Sequence, residues 1–427
     1  MVRRIVVEPG SYACHNMGDV AMMQIAVTRL KELWPNAAIE IVTSRADRIQ
    51  DYCPSATPLA LDERSAWLSG RSVIGGLHRM FPAGISASLK RLEQMLWMRC
   101  PVLTDLGVSL KAMVLHSRRA SPSVFRKRLT GADLMVVSGM GGLNDAFGDS
   151  ACSLLDELVA VLQAGVPIVA FGQGIGPITD HALLAKAREV LPRLKLICLR
   201  EGHTGLPLLQ SLGVPSDRIR VTGDDAIELA FQHRRSALGN LIGINLRLAS
   251  YSGAGDDIPK RLHQPLLRAV HALNSSLVPV PISFSDESSD IRAISRLLGG
   301  QIHDSQTTIR SPEDVIDLIG NCRIVVTGSY HAGVFALSQG ISVIGLVHSA
   351  YYDQKFIGLQ QQFPGGCRII DFRHPTTPDE ILEVISSAWR SAEDAREPLL
   401  RAANLQIDLG RAAYQSLRNQ LTLNPDS

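Results

Sequence analysis

Aromatic residues are scarce, 5% of 427 positions, and neither sign of charge is in excess: 43 Lys and Arg against 41 Asp and Glu leave a formal charge of +2. So even a balance gives no basic footprint and excludes nucleic acid as an expected partner. No apolar run approaches the ~20 residues that a membrane-spanning helix requires. The seven cysteines (Cys14, Cys53, Cys100, Cys152, Cys198, Cys322, Cys367) are odd in number and never form a Cys-x-x-Cys pair. That excludes a disulfide framework and a structural zinc site and fits free thiols in a reducing compartment. The apolar run Ile5-Val6-Val7 is too short for a signal-peptide core and reads as a buried strand. Together these absences lead to the expectation of a cytoplasmic protein.

What is present is an ordinary globular composition, 45% apolar and 20% charged, in a chain long enough for two domains with full cores. Short β-branched runs alternate with helical patterns, the signature of parallel sheets covered by helices. Strands are expected at 3–8, 39–42, 134–138, 168–171, 196–199 and 219–222, then at 242–246, 278–282, 324–327, 343–347 and 369–372. A helix from about Asp19 repeats Val20, Met23, Val27, Leu30 and Trp34 at three- and four-residue steps. Ser311-Pro312-Glu313-Asp314 and Thr377-Pro378-Asp379-Glu380 each offer an N-cap, a proline at the first helical position and acids in the first turn. A continuous helical run is expected from about 379 to 420. The division that follows is an N-terminal Rossmann-like domain, 1–235, a C-terminal one, 236–400, and a helical segment, 401–427, returning to the first domain. Residues 62–130 break the alternation, with twelve Lys or Arg against four acids and an amphipathic pattern over 85–98. They read as a helical insertion with a solvated basic face, or as a docking face for an anionic acceptor such as a lipid-diphosphate carrier or a membrane surface.

In doubly wound sheets ligands sit at the carboxyl ends of strands, so the loops there carry the functional expectations. Gly10–Asp19 is either a glycine turn with Asp19 as helix cap or a binding loop using Asn16 and Asp19; it lacks both the Walker ending and G-x-G-x-x-G. Gly139-Met140-Gly141-Gly142-Leu143-Asn144-Asp145 and Gly172-Gln173-Gly174-Ile175-Gly176-Pro177 follow neighbouring strands, and their free amides can cradle an anion. Thr327-Gly328-Ser329-Tyr330-His331 closes a strand and opens a helix, placing His331 at a positive dipole end. Arg200 ends another strand, and Lys355 follows Tyr351-Tyr352-Asp353-Gln354; the alternative for each is a solvated surface charge. Glu201, Asp224 and Asp225 are candidate carboxylate partners or acceptor-side bases. No metal-ligand cluster stands out and no cofactor is called for.

Together these motifs resemble the polysaccharide pyruvyl transferase family, from the Tyr12–Met22 loop to about Leu359 with 62–125 excluded. The most specific are Asn16-Met17-Gly18-Asp19, Gly141-Gly142-Leu143-Asn144, Gly172–Pro177 and the stretch from His331 through Gly340 to Lys355. The resemblance implies a GT-B-like α/β fold, two Rossmann-like domains facing across a cleft. It also implies transfer of the pyruvyl group of phosphoenolpyruvate to sugar hydroxyls of a cell-surface glycan or its precursor, lipid-linked in some cases. Carried over residue by residue, it makes His331 the general acid/base and Arg200 and Lys355 the donor-binding cations. Ser329, Tyr330, Gly141, Gly142 and Gly174 fall on the donor side; Asn16, Asp19, Asn144 and Asp145 fall on the acceptor side or in supporting loops. One departure stands out: many members carry arginine where this chain has Ser329. Two other readings share the fold: a glycosyltransferase using a nucleotide sugar, and a catalytically inert binding protein.

Overall fold

The structure, a computed structural model, describes residues 2–62, 64, 122–247, 257–285, 289–300 and 309–423. The amphipathic 85–98 segment and nearly all of the basic insertion lie outside them. Two parallel sheets organise the rest, one of seven strands in the order β3-β2-β1-β4-β5-β6-β7 and one of five in the order β12-β11-β10-β8-β9. The first holds β1 (Arg4–Glu8), β2 (Ala38–Thr43), β3 (Thr57–Ala60), β4 (Leu134–Val137), β5 (Ile168–Gln173), β6 (Leu196–Leu199) and β7 (Ile219–Val221). The second holds β8 (Leu241–Asn245), β9 (Leu277–Pro279), β10 (Cys322–Thr327), β11 (Ser342–Val347) and β12 (Cys367–Asp371). This is the α/β architecture of two Rossmann-like units.

These strands read as near-continuous apolar runs because both faces are covered. In β1, Val6 joins a core cluster on one face while Ile5 and Val7 join another on the opposite face, all three fully buried. β3 is an edge strand containing Pro58, whose missing N–H is tolerated there and which hides the strand from a propensity reading. The strand expected over 278–282 stops at Pro279. Beyond it, the carbonyl of Ile282 accepts from the Met17 amide (2.9 Å) and the Phe284 amide donates to His15 (2.9 Å), so this stretch pairs with the first unit's loop instead. The helix after that loop starts at Met17, not Asp19, because Asn16 is the cap: its side chain accepts from the amides of Gly18 (3.0 Å) and Asp19 (3.4 Å). Both Ser311 and Thr377 form capping boxes as their sequences suggest. The single helical run expected from 379 is two helices, Pro378–Arg390 and Ala392–Leu423, separated at Ser391.

Strand order reverses between β1 and β4 in the first sheet and between β8 and β10 in the second. Ligands in such sheets bind outside the carboxyl ends at these reversals, and all four loops meet in one cleft. The last helix spans both units, with Leu399, Ala403 and Ile407 in a second-sheet core cluster and Ala413, Tyr414 and Leu417 on the first sheet. Tyr414 stacks on Phe171 at 3.7 Å and donates to Asp225 (3.2 Å). Asp225 and Glu228 also take the buried Arg29 at 2.7 and 2.6 Å. Asp225 therefore belongs to the joint between the units, not to the cleft.

Arg64, at the root of the basic insertion, is buried against Glu157 (2.6 Å) and Glu8 (3.4 Å), and Tyr12 donates to Glu8. Burial, then the facing Glu157, pushes the Glu8 carboxyl up to about 8 from 4.5. The folded state thus holds this proton more tightly than the unfolded chain. The stabilisation is complete below about pH 4.5 and is lost as pH rises to about 8. Glu8→Gln removes the titration while still accepting from Tyr12. The expected result is that thermal stability falls between pH 6 and 9 in the parent by about 2–3 kcal/mol more than in the variant. Equal slopes in thermal melts across that range would show that Glu8 stays ionised.

Candidate active site

A cavity of about 430 Å³ opens where the four loops converge. From the first unit it is lined by Gly10–Ala13, His15, Asn16, Asp19, Met140–Gly142 and Arg200, and from the second by Arg247, Ser329–His331 and Lys355 among others. A narrow extension continues between Asn144, Gly174, Glu201 and Tyr330.

His331 opens the helix Tyr330–Ser338 at the end of β10 and is only 6% exposed. Its Nε2 lies 3.6 Å from Asp224 and 4.0 Å from Asp19 and has no hydrogen-bond partner. Gly18 is needed here by close approach: a Cβ on it would stand 1.9 Å from the imidazole Cγ. Asp224 Oδ1 accepts from the Ala226 amide at 2.9 Å, while its buried Oδ2, with no partner, points between His331 and Arg200 (3.8 Å). Burial pushes the Asp19 carboxyl up, against the pull of His331 and Arg200.

Arg200 follows β6 and is 3% exposed. Its guanidinium lies 4.1 Å over the Tyr330 ring, and its Nε is buried without a partner. Cβ atoms added to Gly141 and Gly174 would lie 2.5 and 2.6 Å from it. The two glycine loops thus make room for a guanidinium, a use of glycine distinct from the amide cradle that their sequence suggests. Lys355 stands in the helix Ala350–Gln362, donates to the Tyr351 hydroxyl and sits 3.9 Å over that ring. Burial, and then the neighbouring Arg200 and Arg247, push its ammonium well below the usual value. An anion placed among these three cations would reverse that shift.

Of the remaining residues, Ser329 lines the cavity at 4% exposure, with its amide donating to Thr327 Oγ1 (2.8 Å). Asn144 donates to the Gly141 carbonyl at 2.6 Å and so holds the glycine loop. Asp145 does not line the cavity: its carboxylate takes the Thr179 amide and hydroxyl, each at 2.7 Å, and the Asp180 amide at 3.1 Å. Glu201 borders the narrow extension and accepts from the Thr204 amide at 3.2 Å. Arg247, two residues past β8, was missed by the sequence reading. Its position beyond a strand end is the same signal that marks Arg200, without a glycine-rich loop to draw attention to it. Among the described residues no group of three or more His, Cys, Asp or Glu could hold a metal ion, and no helix is long and apolar enough to cross a membrane.

No curated protein of similar sequence was found. Solved structures share the fold. One from Listeria monocytogenes assigned as a UDP-N-acetylglucosamine 2-epimerase is 12% identical over 100% of this chain and 98% of its own, with a TM-score of 0.58. Staphylococcus aureus MnaA in complex with UDP is 13% identical over 99% and 97%, with a TM-score of 0.54. A glycotransferase of kitacinnamycin is 11% identical over 97% and 98%, with a TM-score of 0.50. At such identities the likeness extends to architecture alone, and that architecture is GT-B-like. The model of the polysaccharide pyruvyl transferase family matches residues 16–350, a span that includes Asn16, Asp19, Arg200, Asp224 and His331. The chain therefore belongs to the polysaccharide pyruvyl transferase family and is a transferase.

Proposed function

We propose that the chain moves the pyruvyl group of phosphoenolpyruvate onto sugar hydroxyls of a glycan or its precursor, with His331 as general acid/base. The observation that carries this reading is that two buried polar atoms without hydrogen-bond partners, Nε2 of His331 and Nε of Arg200, belong to side chains that line one cavity. Buried polar groups are normally paired, and unpaired ones on one cavity are suited to a polar, anionic ligand.

Arg200 and Lys355 hold the donor's phosphate and carboxylate. His331 delivers a proton to the donor's methylene carbon, leaving positive charge on the adjacent carbon. An acceptor hydroxyl adds there and gives its proton to Asp19, whose burial raises its affinity for a proton. The carbon–oxygen bond to phosphate then breaks, and phosphate leaves with the proton that Asp19 took. A second hydroxyl closes the ketal, and its proton returns the histidine to its starting state. Asp224 holds His331 and Arg200 in register.

The test is thermal stabilisation of the purified protein by phosphoenolpyruvate beside a panel of nucleotide sugars. Ligand at a hundredfold excess over Kd adds about 2.7 kcal/mol to the folded state. A clear shift with phosphoenolpyruvate is expected. A shift only with a nucleotide sugar would overturn the donor in favour of glycosyl transfer.

A further inference from the structure

Ser329 lines the cavity from the second unit and brings no charge to it. A donor with a phosphate at one end and a carboxylate at the other presents more negative charge than Arg200 and Lys355 alone neutralise. Arg247 stands in the second unit, as Lys355 does. It lines the same cavity as Ser329, and the two chain segments touch, since a Cβ on Gly328 would lie 3.3 Å from the Arg247 amide nitrogen.

Arg247 is held rather than swinging in solvent. Its Nη1 donates to Asp290 Oδ1 at 3.1 Å, and Asp290 is itself immobilised. Oδ2 of that carboxylate accepts from Asn245 Nδ2 (2.9 Å), the Ile282 amide (2.9 Å) and the Ser283 amide (3.0 Å). A carboxylate with three donors on one oxygen is satisfied without the arginine, so the ion pair serves to aim the guanidinium more than to neutralise Asp290. The field of Arg247 reaches into the site: it acts on Lys355 together with Arg200 and on Asp19.

We propose that Arg247 is a donor-binding guanidinium, so that Arg200 takes one anionic end of the donor from the first unit while Arg247 and Lys355 take the other from the second. This rests on the pyruvyl-transfer reading. It makes Arg247 a substrate-binding residue and Asp290 its positioning residue.

The test compares the parent with Arg247→Ala, Arg247→Lys and Arg247→Ala/Ser329→Arg, using phosphoenolpyruvate in titration calorimetry and in steady-state assays. Because the donors to Asp290 Oδ2 remain, Arg247→Ala is expected to stay folded, checked by its melting temperature; the lysine variant keeps the charge if it does not. Arg247→Ala is expected to weaken phosphoenolpyruvate binding by about 30-fold with the acceptor KM within about twofold, and Arg247→Lys to fall between. Arginine at 329 is expected to restore about fivefold or more of the lost affinity, which a purely structural role for Arg247 would not allow. Arg247 variants that bind phosphoenolpyruvate within about twofold of the parent overturn the inference and leave the reading of the donor standing. A parent protein that fails to bind phosphoenolpyruvate overturns both.

Discussion

His331→Gln is expected to lower turnover by about a thousandfold or more while leaving phosphoenolpyruvate binding within a few-fold of the parent. The imidazole is 6% exposed and fills the space that Gly18 leaves open, so a side chain of similar length is needed to keep the wall intact. Glutamine can hydrogen-bond to Asp19 or Asp224 but cannot carry a proton to carbon. Single-turnover rates at saturating donor and acceptor separate this loss from any change in binding. A rate within about tenfold of the parent would move the acid/base function from His331 to Asp19. Thermal melts with and without phosphoenolpyruvate report whether the donor subsite survives.

The strands of the first sheet other than β3 were within reach of the sequence because they are buried and so appear as short apolar runs, Leu134–Val137 and Leu196–Leu199 among them. Those runs also located the loops, and through them His331, Arg200 and the glycines. Three features were not legible, each for a physical reason. Pro58 disguises β3, since an edge strand tolerates a residue that a central strand rejects. Asn16, rather than Asp19, caps the first helix, and both residue types suit that position equally; only the fold shows that Asp19 turns toward His331 instead. Arg247 takes its meaning from Asp290, 43 residues further along the chain, and no local pattern records a contact at that separation. The glycine loops were found for one reason and are explained by another. An anion cradle and a berth for a guanidinium both ask for residues without side chains, and the choice between them depends on where Arg200 points.

That berth carries the second large prediction. Arg200→Ala is expected to weaken phosphoenolpyruvate binding by about 100-fold or more, because it deletes a buried, charge-assisted contact and leaves Asp224 facing His331 alone. Gly174→Ala is the sharper variant. Its Cβ would lie 2.6 Å from Nε and 2.7 Å from Nη2 of Arg200, closer than atoms can pack. The obstructed group is the end of a long side chain, so the fold accommodates the methyl by moving the guanidinium and not the backbone. A displacement of about 1 Å in a positioning group can cost about 100-fold in rate. Gly174→Ala is therefore expected to melt within a few degrees of the parent yet approach Arg200→Ala in its loss of donor affinity. Gly148→Ala is the control, since its Cβ would meet nothing within 4 Å and it does not line the cavity; it is expected to bind donor normally. Calorimetric titration of all three settles the matter. Normal donor binding by Gly174→Ala, with Arg200→Ala impaired, would mean that Arg200 has a second orientation that serves equally well. Normal binding by both variants would remove Arg200 from the donor site and leave it as a strut between Asp224 and Tyr330.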